Sequence, residues 1–305
     1  MSLPGSSTLA YDTHVSGSAC ASFARQRLRS HLALARISNS PTVISDAVAG
    51  AALADARGPI VITALVALAM VLFYTAGMYL NDLWDYAIDC RQRPERPLPA
   101  GLVSRSVAAA MVVVLFVAGG SVLWSVGRRA FVSGLVLIAL IAIYDRWHKE
   151  YALSPLIMAA CRFMVYLTAF LALSSRVSAT VVIPAGMLAL YVAGLTYVAR
   201  GEHSLSMSNA GLVALLFLPV LYDATRPMPL ETLPLLLGFV AWVAYSVSFV
   251  YRRTRQIGRA VGHLIAGISL VDGLVLAMTG ATPGVVMALA TFSLTLLLQR
   301  YVKGT

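Results

Sequence analysis

Asn81, Asp82, Asp85 and Asp89 stand within one short stretch, and the basic residues Arg91, Arg93 and Arg96 follow at once. Asn81, Asp85 and Asp89 are spaced by four and Asp82 and Asp85 by three, so on a helix they share one face. Carboxylates so placed repel one another unless a cation neutralises them. A hard divalent ion with oxygen ligands does this, and Mg2+ usually binds a few carboxylates while keeping positions for phosphate oxygens. Arg93 and Arg96 could then grip the same phosphate directly. The bland alternative is a solvated acidic helix end beside a basic loop. Against it, Asp82, Asp85, Asp89 and Glu95 belong to a set of only 13 acids in 305 residues. Such concentration points to a metal and phosphate site.

The elements that must hold this site are membrane helices. The sequence is 59% hydrophobic and 12% charged, with a mean hydropathy of +0.80, whereas a soluble domain carries about 25% charged residues. Apolar segments run at 39–56, 59–80, 106–126, 130–146, 153–173, 180–199, 208–223, 233–251, 261–279 and 283–299. Against the roughly 20 residues a helix needs to cross a bilayer, they predict an all-α polytopic protein of nine or ten spanning helices. The first segment is the weakest, since it holds Pro41, Asp46 and Asp55.

Charge placement supports the count. One face receives Arg25, Arg27, Arg29, Arg36, Arg91, Arg93, Arg96, Arg105, Arg146, Lys149, Arg200, Arg252, Arg253, Arg255, Arg259, Arg300 and Lys303. The other receives Arg57, Arg128, Arg129, Arg176 and Arg226. This is a strong positive-inside asymmetry, and it puts the acidic cluster on the cytoplasmic side of an inner membrane. The net charge of +10 is then explained by loops facing anionic lipid, so no nucleic-acid partner is inferred. Residues 1–35 read as a polar, basic cytosolic leader, and 36–305 as one membrane domain. Cys20, Cys90 and Cys161 show no pairing or zinc-site spacing. Nucleotide-binding glycine motifs and H-E-x-x-H are absent from the sequence.

The run Asn81-Asp82-Leu83-Trp84-Asp85-Tyr86-Ala87-Ile88-Asp89, with the loop Arg93-Pro94-Glu95-Arg96-Pro97-Leu98-Pro99-Ala100-Gly101 behind it, resembles the UbiA superfamily of intramembrane prenyltransferases. Tyr144 and Lys149 are similar to that family's Y-x-x-x-x-K, and Arg36 to Pro41 to its Arg-containing approach to the first helix. The resemblance covers about 36–300. It implies a helix bundle around a cavity opening to the cytoplasmic face, an allylic diphosphate bridged by one or two Mg2+ to Asp-rich motifs, and a prenyl tail between helices. By that resemblance Asn81, Asp82, Asp85 and Asp89 hold metal, while Tyr144 and Lys149 lie near the diphosphate. Ionising the C–O bond leaves negative charge on diphosphate, so cations fixed there stabilise the transition state above the ground state.

The sequence departs from the family at the second Asp-rich motif. Thr196-Tyr197-Val198-Ala199-Arg200-Gly201-Glu202-His203 stands in its place. Glu202 is then the one carboxylate ligand available there, and Arg200 is read as contacting phosphate in place of a metal. The texture of these motifs resembles the EboC-type branch, which implies a role in making or exporting a secreted metabolite.

Arg162 lies inside the fifth segment, where a charge costs about 2.5–3.5 kcal/mol on insertion scales. It is expected to line the cavity and meet substrate or Asp145; Asp145 or Glu150 could orient Lys149, serve as base towards the acceptor, or form a structural ion pair. Asp272, with His263 nine residues earlier, reads as a packing or hydrogen-bonded polar site, and Asp46 stays ambiguous. The protein is thus expected to be a Mg2+-dependent transferase acting on a prenyl diphosphate and an unidentified acceptor. Two alternatives stay open: a polyprenyl-phosphate sugar-phosphate transferase of the same family, and a cation-coupled secondary transporter.

Overall fold

The computed structural model describes residues 25–148, 151, 153–200, 210–224, 230–252 and 254–302. The described residues are helical, in order: α1 (25–34), α2 (Ser40–Ala54), α3 (Ile60–Trp84), α4 (Tyr86–Gln92), α5 (Arg105–Val126), α6 (Arg128–Trp147), α7 (Ser154–Leu173), α8 (Ala179–Arg200), α9 (Ala210–Ala214), α10 (Leu218–Ala224), α11 (Leu233–Ser248), α12 (Ile257–Met278) and α13 (Thr282–Tyr301). Eight are long and apolar enough to cross a membrane: α3, α5 to α8, α11 with the turn before it, α12 and α13. The protein is an integral, multi-pass membrane protein.

Two of the ten expected spans take another form. The first apolar segment becomes α2, whose 15 residues extend about 22 Å at 1.5 Å per residue, short of a hydrocarbon core of about 30 Å. The seventh breaks into α9, a 3-10 turn at Leu215–Phe217 and α10. Pro219 accounts for the break, because its ring clashes with the carbonyl four residues back and it donates no N–H.

α2 is nevertheless the hub. It packs against α3, α7, α12 and α13, and most of its residues are buried. Small residues allow this closeness, as is usual where lipid supplies no hydrophobic drive between helices. A Cβ on Gly50 would lie 2.5 Å from the Tyr166 carbonyl oxygen and 2.9 Å from its Cα, so only glycine lets α2 lie against the α7 backbone.

The loop at 93–104 carries Pro94, Pro97 and Pro99, which forbid a helix there. Leu98 and Val103 are buried in an apolar cluster with Leu34, Ala35 and Tyr79, tying this loop, the end of α1 and α3 together. The Ser104 hydroxyl accepts from the Val107 N–H and caps α5. At the end of the leader, His31 Nδ1 lies 2.8 Å from the Tyr79 hydroxyl.

Candidate active site

A cavity of about 820 Å³ runs between α2, α3, α6, α7, α8 and α12, a size typical of a small-molecule site. Its mouth is polar and carries Arg36, Asn81, Asp85, Asp89, Arg93, Arg96, Asp145 and His148. Deeper, Val43, Met70, Phe73, Leu137, Val165 and Ile268 give it an apolar wall. The mouth lies at the end of the bundle that carries Arg36, the 93–104 loop and the start of α12.

The carboxylates reach this mouth by an interrupted helix. α3 ends at Trp84 and α4 begins at Tyr86, but Asp85 between them keeps a right-handed helical conformation (φ −78°, ψ −5°). Its N–H bonds the Asn81 carbonyl at 2.9 Å, and the Asp89 N–H bonds the Asp85 carbonyl at 2.9 Å. The spacing of four therefore survives the junction, and Asn81, Asp85 and Asp89 all line the cavity. Each of them, and Asp82, is at most 7% exposed.

Buried carboxylates need partners, and here arginines and a histidine supply them. Arg96 bridges Asp89 at 2.7 Å and Asp82 at 3.6 Å. Arg36 lies 3.4 Å from Asp82 and donates to the Asn81 Oδ1 at 3.3 Å. His148 Nε2 is 3.6 Å from Asp85. Asn81 donates through Nδ2 to Asp145 Oδ1 at 3.1 Å, while Asp145 Oδ2 is buried with no hydrogen-bond partner. Tyr144 stacks on His148, with centroids 5.3 Å apart.

Two residues of this mouth have roles that the sequence alone does not assign, Arg36 and His148. Arg36 is placed by its backbone: φ is +41°, a left-handed conformation uncommon for a side chain of this size. The sharp turn it makes ahead of the 3-10 helix Ile37–Asn39 carries its guanidinium to α3. His148 is legible in the sequence only as the residue one helical turn after Tyr144.

Arg162, Arg200 and Asp272 each have defined partners in the structure. Arg162 lines the cavity, but its guanidinium pairs with Asp46 and donates to the Thr42 hydroxyl at 3.1 Å, rather than meeting Asp145. Arg200 donates to the carbonyls of His148 and Tyr151, so it ties the end of α8 to the α6–α7 connection. Asp272 belongs with α2 and α7: Ser45 and Tyr166 both donate to it, and Ser45 also contacts Ser269 at 3.0 Å. His263 lies apart from it among Trp242, Tyr245 and Phe249. Lys149, Glu150 and Glu202 lie outside the described residues.

The donor set suits a hard divalent ion, since Asn81, Asp82, Asp85 and Asp89 offer oxygens. Among the described residues no three His, Cys, Asp or Glu side chains are gathered on one point. Arg36 and Arg96 lie between Asp82 and its neighbours and hold these oxygens in ion pairs.

Comparison with known proteins gives one consistent answer. A family model described as the UbiA prenyltransferase family matches residues 43–204. The digeranylgeranylglyceryl phosphate synthase of Methanoregula boonei is 38% identical over 112 residues, which is 36% of this chain and 39% of that protein. The enzyme of the same name from Thermococcus kodakarensis is 39% identical over 80 residues, 26% of this chain and 29% of that one. The matched stretch thus spans about two fifths or less of these curated relatives. A UbiA homologue from Archaeoglobus fulgidus superposes with a TM-score of 0.59 at 13% identity, covering 87% of this chain and 99% of that one. The same homologue solved with GPP and Mg2+ gives 0.51 at 16% identity, over 87% and 99%. A solved digeranylgeranylglyceryl phosphate synthase gives 0.57 at 17% identity, over 85% and 99%.

Proposed function

The chain belongs to the UbiA prenyltransferase family, and from that premise we propose that it transfers a prenyl group from its diphosphate to an acceptor at the cytoplasmic face of the membrane, with Mg2+. The observation that carries the reading is the union of a buried acidic and basic cluster with an apolar cavity directly behind it. A diphosphate with a hydrocarbon tail is the ligand that needs both. The arginine-rich loops around the mouth favour the cytoplasmic side.

In this reading Arg93 and Arg96 grip the diphosphate, and Arg36 completes the basic rim. Arg96 now pairs with Asp89 and Asp82, so binding exchanges those carboxylates for phosphate oxygens. Asn81, Asp82, Asp85 and Asp89 would hold Mg2+, with Glu202 as a further ligand. When bound, Mg2+ neutralises the charge that collects on diphosphate as the allylic C–O bond ionises. Tyr144, stacked on His148, and Lys149 steady the leaving diphosphate. Asp145 Oδ2, buried and unpartnered, accepts a hydrogen bond from the acceptor. Arg200 acts through the α6–α7 connection, and Arg162 shapes the wall. The names of the curated relatives make a prenylated glyceryl phosphate the first acceptor to try.

The test is direct binding. Purified protein should bind farnesyl diphosphate with Mg2+ and lose at least tenfold in affinity either with chelator or as Asp85→Ala. Binding that ignores both changes would sink the reading. Mass spectrometry of products from membranes with and without the protein then identifies the acceptor.

A further inference from the structure

Behind the carboxylates, the cavity follows one stripe of α3. Gly77, Tyr74, Phe73 and Met70 line it, four, seven, eight and eleven residues before Asn81, a spacing that keeps them on one helix face. At about 1.5 Å per residue, Phe73 lies roughly 12 Å and Met70 roughly 16 Å from Asn81 along the axis.

Phe73 is 1% exposed; it lines the cavity, and its ring lies against α5 and α6. It stands back from the cavity because two glycines make room behind it. A Cβ on Gly119 would lie 2.6 Å from Phe73 Cε1, and one on Gly134 would lie 3.2 Å from Cε2. Phe116 closes the rear, with ring centroids 5.9 Å apart.

We propose that Phe73, seated against Gly119 and Gly134, is the gauge that sets the length of prenyl tail this protein accepts, a statement that rests on the prenyltransferase reading above. Single carbon–carbon bonds of about 1.5 Å give roughly 5 Å per extended five-carbon unit. A tail leaving a diphosphate at Asn81 thus reaches Phe73 and Met70 after about three units. Removing the ring opens the space it fills against Gly119 and Gly134 to a further unit. Adding a methyl at Gly119 pushes the ring the other way, into the cavity, because packed helix lies on its other sides.

The probes are prenyl diphosphates of two to six units, titrated with Mg2+ against detergent-solubilised protein. Phe73→Ala should move the preferred tail longer by at least one unit, changing the affinity ratio between neighbouring lengths tenfold or more. Gly119→Ala should move it shorter. Should Phe73→Ala not fold, Phe73→Leu and Gly119→Ala still give opposite shifts. A wild-type protein with a length preference that the folded variants leave unchanged overturns the gauge alone. A wild-type protein that binds no member of the series overturns the prenyltransferase reading instead.

Discussion

The pairing of Arg162 with Asp46 offers the sharpest test of how this bundle tolerates charge at membrane depth. Asp46 is completely buried, while the Arg162 side chain is 12% exposed towards the cavity. Asp272 lies beside Asp46 and accepts hydrogen bonds from Ser45 and Tyr166. Two charges about 4 Å apart attract by about 4 kcal/mol at an effective dielectric of about 20, and removing one partner of a buried pair typically costs about 3–5 kcal/mol. The two single substitutions should not cost the same. Arg162→Met leaves Asp46 and Asp272 buried with no cation between them and should cost the full 3–5 kcal/mol. Asp46→Leu leaves a guanidinium that reaches cavity water and can turn towards Asp272, so about 1–3 kcal/mol is expected. The double variant Asp46→Leu/Arg162→Met should recover most of the loss, with a coupling of about 2–3 kcal/mol. Helical ellipticity followed against temperature in detergent gives the readout, with Arg162→Met lowering Tm by roughly 10 °C. If Arg162→Met melts like wild type, or if the double variant melts below both singles, the pair does not hold α2 to α7.

Other expectations follow from the same geometry. Gly50→Ala places a methyl against the Tyr166 backbone, which cannot yield; a loss of at least 1–3 kcal/mol in thermal stability is expected, as for overpacked cores, and an unchanged Tm would show that α2 can shift freely. Arg200→Ala removes two carbonyl contacts to the α6–α7 connection, and should weaken prenyl diphosphate binding several-fold while leaving Tm nearly unchanged, measured by titration beside a melting curve. Removing Mg2+ with chelator should abolish diphosphate binding but leave the fold intact by circular dichroism, since Arg36 and Arg96 already neutralise Asp82 and Asp89; a collapse of helicity on chelation would contradict this.

The sequence by itself determined the solvent and the chemistry. A polypeptide with so little charge must be solved by helices in lipid, because backbone groups there have no water to pair with. Scarcity also made Asn81, Asp82, Asp85 and Asp89 readable, and their spacing of four is a local property that a helix must preserve, as it does through the junction at Asp85. Tertiary structure decided which charge meets which. Asp46 to Arg162 and Asp272 to Tyr166 each join residues more than a hundred positions apart, and no local period encodes such pairings. The same holds for the fate of weak apolar runs. Whether 39–56 crosses the membrane or becomes a short hub depends on the neighbours that bury its polar residues, and a hydropathy window does not see them. Phe73 shows the division most clearly. Its own sequence marks it as one apolar residue among many, and what it does is set by two glycines on other helices that leave its ring room to stand back.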